Sequence, residues 1–355
     1  MRIITRLLVC IAAIFVLLMA ALYLRSPIDP AIWYPSANPG LTGAFQKNTD
    51  LAKAQLVSMQ GGAGPEDIAR GPDGKFYTGL SDGRIVRIHP QSGAISDFSD
   101  TGGRPLGMQF NAQGQLIVAD SKMGLLSVDP EGDVRLLTNA VNGKRMLFVD
   151  DLDIAADGTI WFSDASQRYG YDGVMFDLIE AQATGRLLSY SPATGETKVH
   201  LKDLAFGNGV ALGPNDEWVL INDTGRSRIM RLWLQGKRAG ESEVFIDGLP
   251  AMPDNLSFNG SDRIWVALVS LRSAELEGLA DKILPRKLIT GLPIAALTPQ
   301  DHYAFVLGLN LSGEVVANLQ DTGERFHSIT SVNEFEGSLY LGSLVAPNIA
   351  IYPLK

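Results

Sequence analysis

Four oxygen-bearing residues occupy one equivalent position in a repeating unit of this chain: Glu66, Asp150, Asn208 and Asp254. Each lies eight positions before a turn residue that opens a short apolar strand; those turn residues are Gly74, Gly158, Asp216 and Asp262. Repeats that place acid and amide side chains at one register can bring them together on a symmetry axis. Carboxylate and amide oxygens are the ligands that Ca²⁺ prefers. The spacing therefore predicts a metal centre on an axis.

Turn chemistry is the simpler interpretation of any one of these residues, because Asp and Asn beside turns often bond to their own backbone. Recurrence of four residues at one register favours the metal interpretation for the set. The same eight-residue rule places Leu106 and Ile329 at the two remaining equivalent positions. We therefore expect oxygen ligands from four repeats and apolar side chains from two.

Three of the four residues are followed directly by another polar residue, namely Asp67, Asp151 and Asn255. Neighbouring residues of a strand point to opposite faces. We therefore expect one member of each pair to reach the axis and the other to support the turn. Asp254 and Asn255 are the exception, since both can face the channel if the strand starts there. The expected metal ligands are Glu66, Asp150, Asn208, Asp254 and Asn255.

A transition-metal site is a poorer match to this sequence. The four histidines are scattered without ligand spacing; they are His89, His200, His302 and His327. Transition-metal sites favour clustered His and Cys ligands. The single cysteine, Cys10, excludes a Cys-rich site and an intramolecular disulfide.

Short strands joined by tight turns recur along the chain beyond residue 55. The first cycle contains four strands connected by Pro-Asp-Gly, Ser-Asp-Gly and Gln-Ser-Gly turns, which is the make-up of one propeller blade. The signature of the second strand recurs six times, at 75–80, 115–120, 159–164, 217–223, 263–268 and 338–343. A strand-rich repeat of about 40–50 residues predicts a propeller. The predicted fold is an all-β, six-bladed β-propeller with an N-terminal transmembrane helix.

Two long intervals between repeats, near 166–184 and 270–300, are interpreted as loops over the site. The strand 55–59 is expected to complete the last blade beside 349–354, which would join the chain ends and cover the sheet edges. The expected domains are a membrane anchor over 1–25, a linker over 26–54 and the propeller over 55–355.

The net charge of −9 and the lack of a basic stripe argue against nucleic acid as a partner. The apolar run from Leu7 to Leu24 is 18 residues long and follows Arg2 and Arg6. That length approaches the ~20 residues that span a bilayer as a helix. A cleaved signal peptide is the alternative, but its apolar core is usually shorter and ends in a small-residue site. We therefore expect an uncleaved anchor, with a cytoplasmic N-terminus and the propeller in the periplasm or another extracytoplasmic space.

Several motifs resemble the strictosidine synthase-like branch of the six-bladed propeller hydrolases. They are Gly-Pro-Glu-Asp-Ile-Ala at 64–69, Gly-Arg-Pro-Leu-Gly-Met at 103–108, the long run at 150–164, Gly-Asn-Gly-Val-Ala-Leu at 207–212, Pro-Asp-Asn-Leu at 253–256 and the segment 336–344. A more distant resemblance extends to paraoxonases and to the gluconolactonase and regucalcin group. The resemblance to the propeller hydrolases implies that Glu66, Asn208, Asp254 and Asn255 hold calcium. Asp150 stands where relatives often carry Asn.

The resemblance implies a calcium-dependent hydrolase of small apolar esters or lactones, of arylesterase or lactonase type, with one axial Ca²⁺ and room for a second, structural ion. Asp254 or Glu66 would then activate a water or attack the carbonyl directly. Paraoxonase-like enzymes carry a His where this chain has Leu106. Strictosidine synthases carry a Glu and a His where it has Thr330 and Ser328, so the condensation that forms alkaloids is disfavoured.

A non-catalytic propeller, in which calcium is a structural pin and one face binds a ligand or partner, is the main alternative. The absence of the His at position 106 and the extra acid at Asp150 favour that alternative, whereas the inward-facing polar set favours an enzyme. Gly79–Gly83 matches the letters of a serine nucleophile elbow. That motif requires a strand followed by a helix, and Ser81 is expected in a hairpin turn.

Overall fold

The computed structural model describes residues 2–293, 297 and 302–354. These residues form two compact units. One unit contains residues 36–171, 183–272 and 301–355, and the other contains residues 1–35, 172–182 and 273–300.

The larger unit is the predicted six-bladed propeller, built from six four-stranded antiparallel sheets. Its first strand is β1 (Gln55–Ser58). Blade 1 contains β2 (Ile68–Arg70), β3 (Phe76–Gly79), β4 (Arg84–Ile88) and β5 (Ile95–Asp100). Blade 2 contains β6 (Pro105–Phe110), β7 (Leu116–Asp120), β8 (Gly124–Val128) and β9 (Val134–Thr138). A short hairpin follows, with β10 (Ala140–Val141) and β11 (Lys144–Arg145).

Blade 3 contains β12 (Val149–Ile154), β13 (Ile160–Asp164), β14 (Gly185–Ser191) and β15 (Glu196–Leu204). Blade 4 contains β16 (Gly207–Leu212), β17 (Trp218–Asp223), β18 (Arg228–Trp233) and β19 (Ser242–Ile246). Blade 5 contains β20 (Ala251–Phe258), β21 (Ile264–Leu271), β22 (Ala304–Leu309) and β23 (Val315–Asp321). Blade 6 contains β24 (Ile329–Phe335), β25 (Ser338–Ser343), β26 (Asn348–Pro353) and the early strand β1.

The predicted closure of the ring is confirmed. Strand β1 pairs antiparallel with β26, so that Gln55 faces Ile351 and Ser58 faces Asn348. All six second strands also fall where the repeat placed them, with starts that differ by at most one residue. Because the last blade takes strands from both ends of the propeller sequence, the sheet hydrogen bonds hold the ring closed.

The hydrophobic core lies between the blades. Six clusters of buried apolar side chains occur, and each combines residues from two neighbouring blades. The cluster between blades 1 and 2, for example, packs Tyr77 and Ile85 against Leu116 and Val118. Since both faces of each sheet are buried in this way, the inner strands are held at fixed positions around the axis.

The smaller unit contains the helices. Helix α1 spans Arg2–Arg25, α2 spans Val174–Glu180, α3 spans Ala274–Glu277 and α4 spans Ile283–Thr290. Among the described residues, α1 is the one helix long and apolar enough to cross a membrane, and it fits an N-terminal membrane anchor.

The interpretation of the two long insertions as loops is wrong where the structure describes them. The first contains α2 and the second contains α3 and α4. Val174–Glu180 has neither Gly nor Pro in its interior, and Pro285 lies in the first turn of α4, where proline is tolerated. Residues 294–296 and 298–301 of the second insertion lie outside the described residues.

Candidate metal centre

The innermost strand of each of blades 2 to 6 has a two-residue irregularity close to its start. In blade 2 the pairing with the second strand is interrupted between Pro105 and Met108. The interruptions in blades 3 to 6 fall between residues 149 and 152, 207 and 210, 253 and 256, and 329 and 332. In blade 1 the pairing begins only at Ile68, after Glu66. Bulges of this kind change the direction of side chains. The candidate ligands therefore lie in the irregular residues.

The same register corrects one predicted position. In blades 3, 4 and 5 the candidate ligand directly follows the last residue that is paired before the interruption. In blade 6 that paired residue is Ile329 itself, so the equivalent position is Thr330. The eight-residue rule fails here because Phe335 pairs with Ser338 across a two-residue turn, which is shorter than the other turns. Thr330 donates a hydrogen bond of 2.7 Å to the Glu66 carbonyl oxygen.

Side-chain amides tie the candidate ligands together in two pairs. Asn208 Nδ2 donates to Asp254 Oδ1 at 2.9 Å, and Asn255 Nδ2 donates to Glu66 Oε1 at 2.9 Å. These bonds join blade 4 to blade 5 and blade 5 to blade 1. All five candidate ligands are buried, and Asp254 is the most exposed of them at 7%. The structure therefore brings the five residues to one place.

Four oxygens of this set are buried without a hydrogen-bond partner in the part of the chain that the structure describes. They are Glu66 Oε2, Asp150 Oδ2, Asn208 Oδ1 and Asn255 Oδ1. Each amide uses its nitrogen on a carboxylate, which leaves its oxygen unpaired. A buried polar atom without a partner costs about 1–3 kcal/mol. A single cation that binds oxygen could interact with all four of these atoms and so offset this cost.

The electrostatics of the cluster also favour a bound cation. Burial raises the pKa of Glu66 and of Asp150 well above the ordinary carboxyl range, and the neighbouring Asp254 carboxylate raises both further. Burial also raises the pKa of Asp254, against the hydrogen bond from Asn208. Neighbouring ionised carboxylates repel one another. A bound cation would relieve both the repulsion and the cost of burial.

The donor set is a mixture of acids and amides. Within the described ranges there is no group of three or more His, Cys, Asp or Glu side chains with the geometry of a metal site. The three carboxylates therefore do not form a site by themselves, and the two amide oxygens complete the set. Oxygen-only sites of mixed charge suit Ca²⁺, which accepts carbonyl and amide ligands. The residues present fit that ion.

In the pairs Glu66–Asp67 and Asp150–Asp151 the second residue has a different role from the predicted one. Asp67 accepts a hydrogen bond from the Met108 backbone at 3.0 Å and another from Asn333 Nδ2 at 2.8 Å. Asp151 accepts one from the Val210 backbone at 2.8 Å. These carboxylates bridge neighbouring inner strands, so the prediction that they support their own turns is wrong. A strand-local argument missed these bonds because their partners lie in other blades.

Arg104 is a component of the site that the sequence reasoning missed. Its side chain is 1% exposed, and its charge opposes the rise in pKa of both Glu66 and Asp150. Arg104 Nη1 donates to the Gly64 carbonyl at 2.9 Å, and the guanidinium lies 5.6 Å from the centre of the Tyr171 ring. Arg104 Nη2 is buried without a partner among the described residues. The sequence signal that could have identified Arg104 is its position, two residues before the axial Leu106.

Gly64 leaves room for this arginine. Its φ is +63°, and a Cβ there would lie 2.6 Å from the Leu344 carbonyl and 3.2 Å from Arg104 Nη2. A side chain at position 64 would therefore be strained in backbone and would press on the guanidinium.

A cavity of about 330 Å³ extends along the inner strands. Asp67, Asp151, Asp153 and the rings of Phe110 and Phe258 contribute to its wall. Burial raises the pKa of Asp153 to about 6. Of the five candidate ligands, Asn255 is among the residues that line this cavity.

Ser81 does not form a nucleophile elbow. It lies in the tight turn between β3 and β4, where the Gly83 backbone donates to the Leu80 carbonyl at 3.1 Å. The elbow would require a helix after the strand. The prediction of a hairpin at this position is confirmed.

Fold and site together define a six-bladed β-propeller with carboxylate and amide oxygens gathered at its axis. Two family models match the chain: one for the strictosidine synthase-like N-terminal region over residues 43–88, and one for strictosidine synthase over residues 150–237. The chain is 33% identical to the adipocyte plasma membrane-associated protein of Rattus norvegicus, over 99% of both chains. It is also 33% identical to Protein STRICTOSIDINE SYNTHASE-LIKE 10 of Arabidopsis thaliana, over 100% of both. The chain belongs to this strictosidine synthase-like family.

Solved structures confirm the architecture. A gluconolactonase from Xanthomonas campestris superposes with a TM-score of 0.63 at 17% identity, covering 93% of this chain and 99% of that one. The calcium-binding protein regucalcin from Agrobacterium tumefaciens superposes with a TM-score of 0.55 at 14% identity, covering 91% and 99%. At these identities the likeness establishes the propeller fold.

Proposed function

We propose that this protein is a membrane-anchored, calcium-dependent hydrolase of small esters or lactones. The observation that carries the proposal is the set of four buried, unpartnered oxygens on Glu66, Asp150, Asn208 and Asn255. Bound Ca²⁺ would supply a Lewis acid that polarises the substrate carbonyl. The gluconolactonase and regucalcin neighbours indicate which chemistry to test first.

The chain's own residues prepare the site for this reaction. Asn208 holds Asp254 by one carboxylate oxygen, and Asn255 holds Glu66 in the same way. Both carboxylates are thus fixed in orientation before a substrate arrives, which lowers the entropic cost of reaction. Asp254 is the most exposed member of the set, so it is the better placed to accept a proton from water or to attack the carbonyl. Glu66 is the second candidate.

Arg104 contributes a fixed positive charge beside these carboxylates. Its unpartnered Nη2 can donate to a substrate oxygen, and its stacking on Tyr171 limits its movement. Donors that are already oriented stabilise a developing negative charge without reorganisation. We assign Arg104 to the binding of the substrate's oxygen-bearing end.

The main alternative is a non-catalytic propeller in which calcium pins the blades and one face binds a ligand or partner. Leu106 favours it, because this fully apolar, 2% exposed side chain occupies the axial position of blade 2, where paraoxonase-like enzymes carry a His. Synthase-type condensation is less well supported. Thr330 uses its hydroxyl on the Glu66 backbone, and the Ser328 hydroxyl lies 3.0 Å from His327 Nδ1.

The deciding experiment measures hydrolysis of aryl esters and lactones by the full chain in detergent, with calcium and after chelation. Asp254→Ala is the test variant and Asp262→Ala, at an exposed turn, is the control. We expect calcium-dependent turnover that Asp254→Ala abolishes and the control retains. Full activity of Asp254→Ala after loss of its ion would refute the mechanism. Chelation that lowers only the melting temperature, with no substrate turned over, would instead support the structural-pin alternative.

The orientation of the anchor belongs to the same proposal. Arg2 and Arg6 precede the apolar run of α1, and we propose on that basis a cytoplasmic N-terminus with the propeller on the far side of the membrane. Protease digestion of sealed membrane vesicles of known orientation tests this placement. Digestion of the propeller from the cytoplasmic face would refute it.

A further inference from the structure

Helix α4 packs directly against the C-terminal end of the apolar helix α1. A Cβ placed on Gly291 would lie 2.1 Å from the Leu22 carbonyl oxygen, so the two backbones touch at this point. Ser26 and Thr290 share a hydrogen bond of 2.8 Å between their hydroxyls. Lys287 Nζ lies 5.1 Å from the centre of the Tyr23 ring. The position of α4 is therefore coupled to the point at which α1 ends.

The contact is supported by a buried network in the same unit. Arg286 is fully buried and donates to the Ile179 carbonyl at 3.1 Å and to the Ala31 carbonyl. The Ala31 backbone in turn donates to the Glu180 carbonyl at 2.9 Å. The segment that leaves α1 is thus held between α2 and α4. Because these bonds are buried, breaking them would leave polar groups without partners. Moving α4 away from α1 would therefore cost free energy.

Three large apolar side chains in and just after α4 are exposed. Ile283 is 44% exposed, Leu284 is 56% exposed and Leu292 is 41% exposed. Two tyrosines near the end of α1, Tyr23 and Tyr34, are exposed as well. A cluster of large exposed apolar side chains on a folded protein marks a contact surface. Amphipathic tyrosines beside an apolar helix are typical of a membrane–water boundary.

The length of α1 locates this surface relative to a bilayer. Its 24 residues span about 36 Å at 1.5 Å per residue, compared with a hydrocarbon core of about 30 Å. When α1 spans the membrane, residues 22–26 must lie near one boundary of that core. Helix α4 touches α1 there, so its exposed side chains meet the same boundary. Lys287 supplies positive charge close to the lipid headgroups, whereas Lys282 is paired with the Asp281 carboxylate at 3.2 Å.

We propose that α4 and the residue Leu292 form a bilayer-docking surface, in which Ile283, Leu284 and Leu292 enter the interface of the phospholipid membrane that α1 spans. Helix α4 then lies in the membrane surface, as an interfacial amphipathic helix does. The unit attaches to the bilayer at two places, through the spanning helix and through this surface. The inference does not depend on the proposed hydrolase activity.

The test uses the full chain in nanodiscs of phosphatidylcholine and phosphatidylglycerol. Cys10 is first replaced by Ser, and Leu284→Cys then carries an environment-sensitive fluorophore. The matched control is Val316→Cys, at a comparably exposed apolar position on the outer strand β23. We expect blue-shifted emission from the probe at 284 and loss of most of its intensity when the lipid chains carry nitroxide quenchers. The probe at 316 should show neither effect.

Emission from position 284 that matches position 316, without quenching by lipid, would overturn the proposal. Blue-shifted emission that lipid quenchers leave unchanged would overturn it too, since protein, such as a second copy of the chain, would then cover the face. If Leu284→Cys does not fold, as judged by its melting curve, Leu292→Cys reports on the same surface with the same expected quenching.

Discussion

The side-chain amide of Asn255 donates a hydrogen bond of 2.9 Å to Oε1 of Glu66, although 189 residues separate the two. This bond joins the fifth blade to the first across the axis, and it turns the Asn255 oxygen away from the carboxylate. The Glu66 oxygen that remains and the Asn255 oxygen are both unpartnered in the described structure. This bond therefore both links blade 5 to blade 1 and leaves two buried oxygens as potential ligands.

Replacing Asn255 by Ala should weaken both functions of this bond. Glu66 Oε1 would lose its donor inside a buried site, at a cost of about 1–3 kcal/mol in the free energy of unfolding. The variant would also lose one proposed ligand, so its calcium affinity should fall. Chemical denaturation and calorimetric calcium titration measure the two effects. Unchanged calcium affinity would remove Asn255 from the ligand set.

Replacing Asp150 by Asn tests the proposed repulsion among the buried carboxylates. The buried Asp150 carboxyl is raised in pKa by burial and by Asp254, so its ionised form destabilises the calcium-free protein near neutral pH. Asp150→Asn should raise the melting temperature after chelation and reduce calcium affinity through the loss of one negative charge. A lower melting temperature after chelation would contradict the assigned repulsion.

Replacing Arg104 by Met separates metal binding from substrate binding. Its charge lowers the pKa of Glu66 and Asp150, and it therefore also opposes a second cation nearby. We expect calcium to bind more tightly, on the order of 1 kcal/mol or about fivefold in Kd. Hydrolysis should fall in the same variant. Weaker calcium binding in a folded Arg104→Met protein would show that the guanidinium orders the ligands instead.

The stability of the calcium-free protein and the stabilisation that calcium adds should depend on pH with opposite signs. Burial raises the folded-state pKa of Glu66, Asp150 and Asp254 above their unfolded values, so the folded, calcium-free protein binds more protons than the unfolded chain. Its stability must then fall as pH rises from about 5 to about 8. Asp153, with a pKa of about 6, acts in the same direction.

Calcium binding requires ionised carboxylates, so the stabilisation that calcium adds should grow over the same pH range. Melting temperatures measured with calcium and with chelator at each pH give this difference directly. A difference that stays constant with pH would show that these carboxylates do not hold the ion.

Replacing Gly209 by Ala should disturb the site without changing a ligand. A Cβ at position 209 would lie 2.4 Å from the Asp254 carbonyl and 2.8 Å from Asn222 Nδ2, so the inner strands of blades 4 and 5 would be pushed apart. We expect a loss of about 1–3 kcal/mol in stability and weaker calcium binding. Gly170→Ala is the control, because its nearest neighbour would be 3.5 Å away. Equal effects of the two changes would contradict this steric argument.

The sequence by itself determined the propeller, the closing strand and the register of the candidate ligands. Turn dipeptides and alternating apolar residues act over a few positions, and their repetition along the chain makes six blades readable without a structure. The rule failed by one residue in blade 6, where the turn at Glu336–Gly337 is shorter and Thr330 takes the axial place. A local spacing rule works only while the local turn is the same.

Tertiary structure alone decided which partners the side chains at these positions contact. Asp67 and Asp151 accept hydrogen bonds from backbone donors in neighbouring blades, and the charge of Arg104, from a loop in another repeat, lowers the pKa of Glu66. The helices of the insertions are likewise placed by partners far along the chain, as Arg286 is by Ala31. Each of these contacts depends on residues tens to hundreds of positions away, and their free energy is realised only when the ring and its insertions have packed.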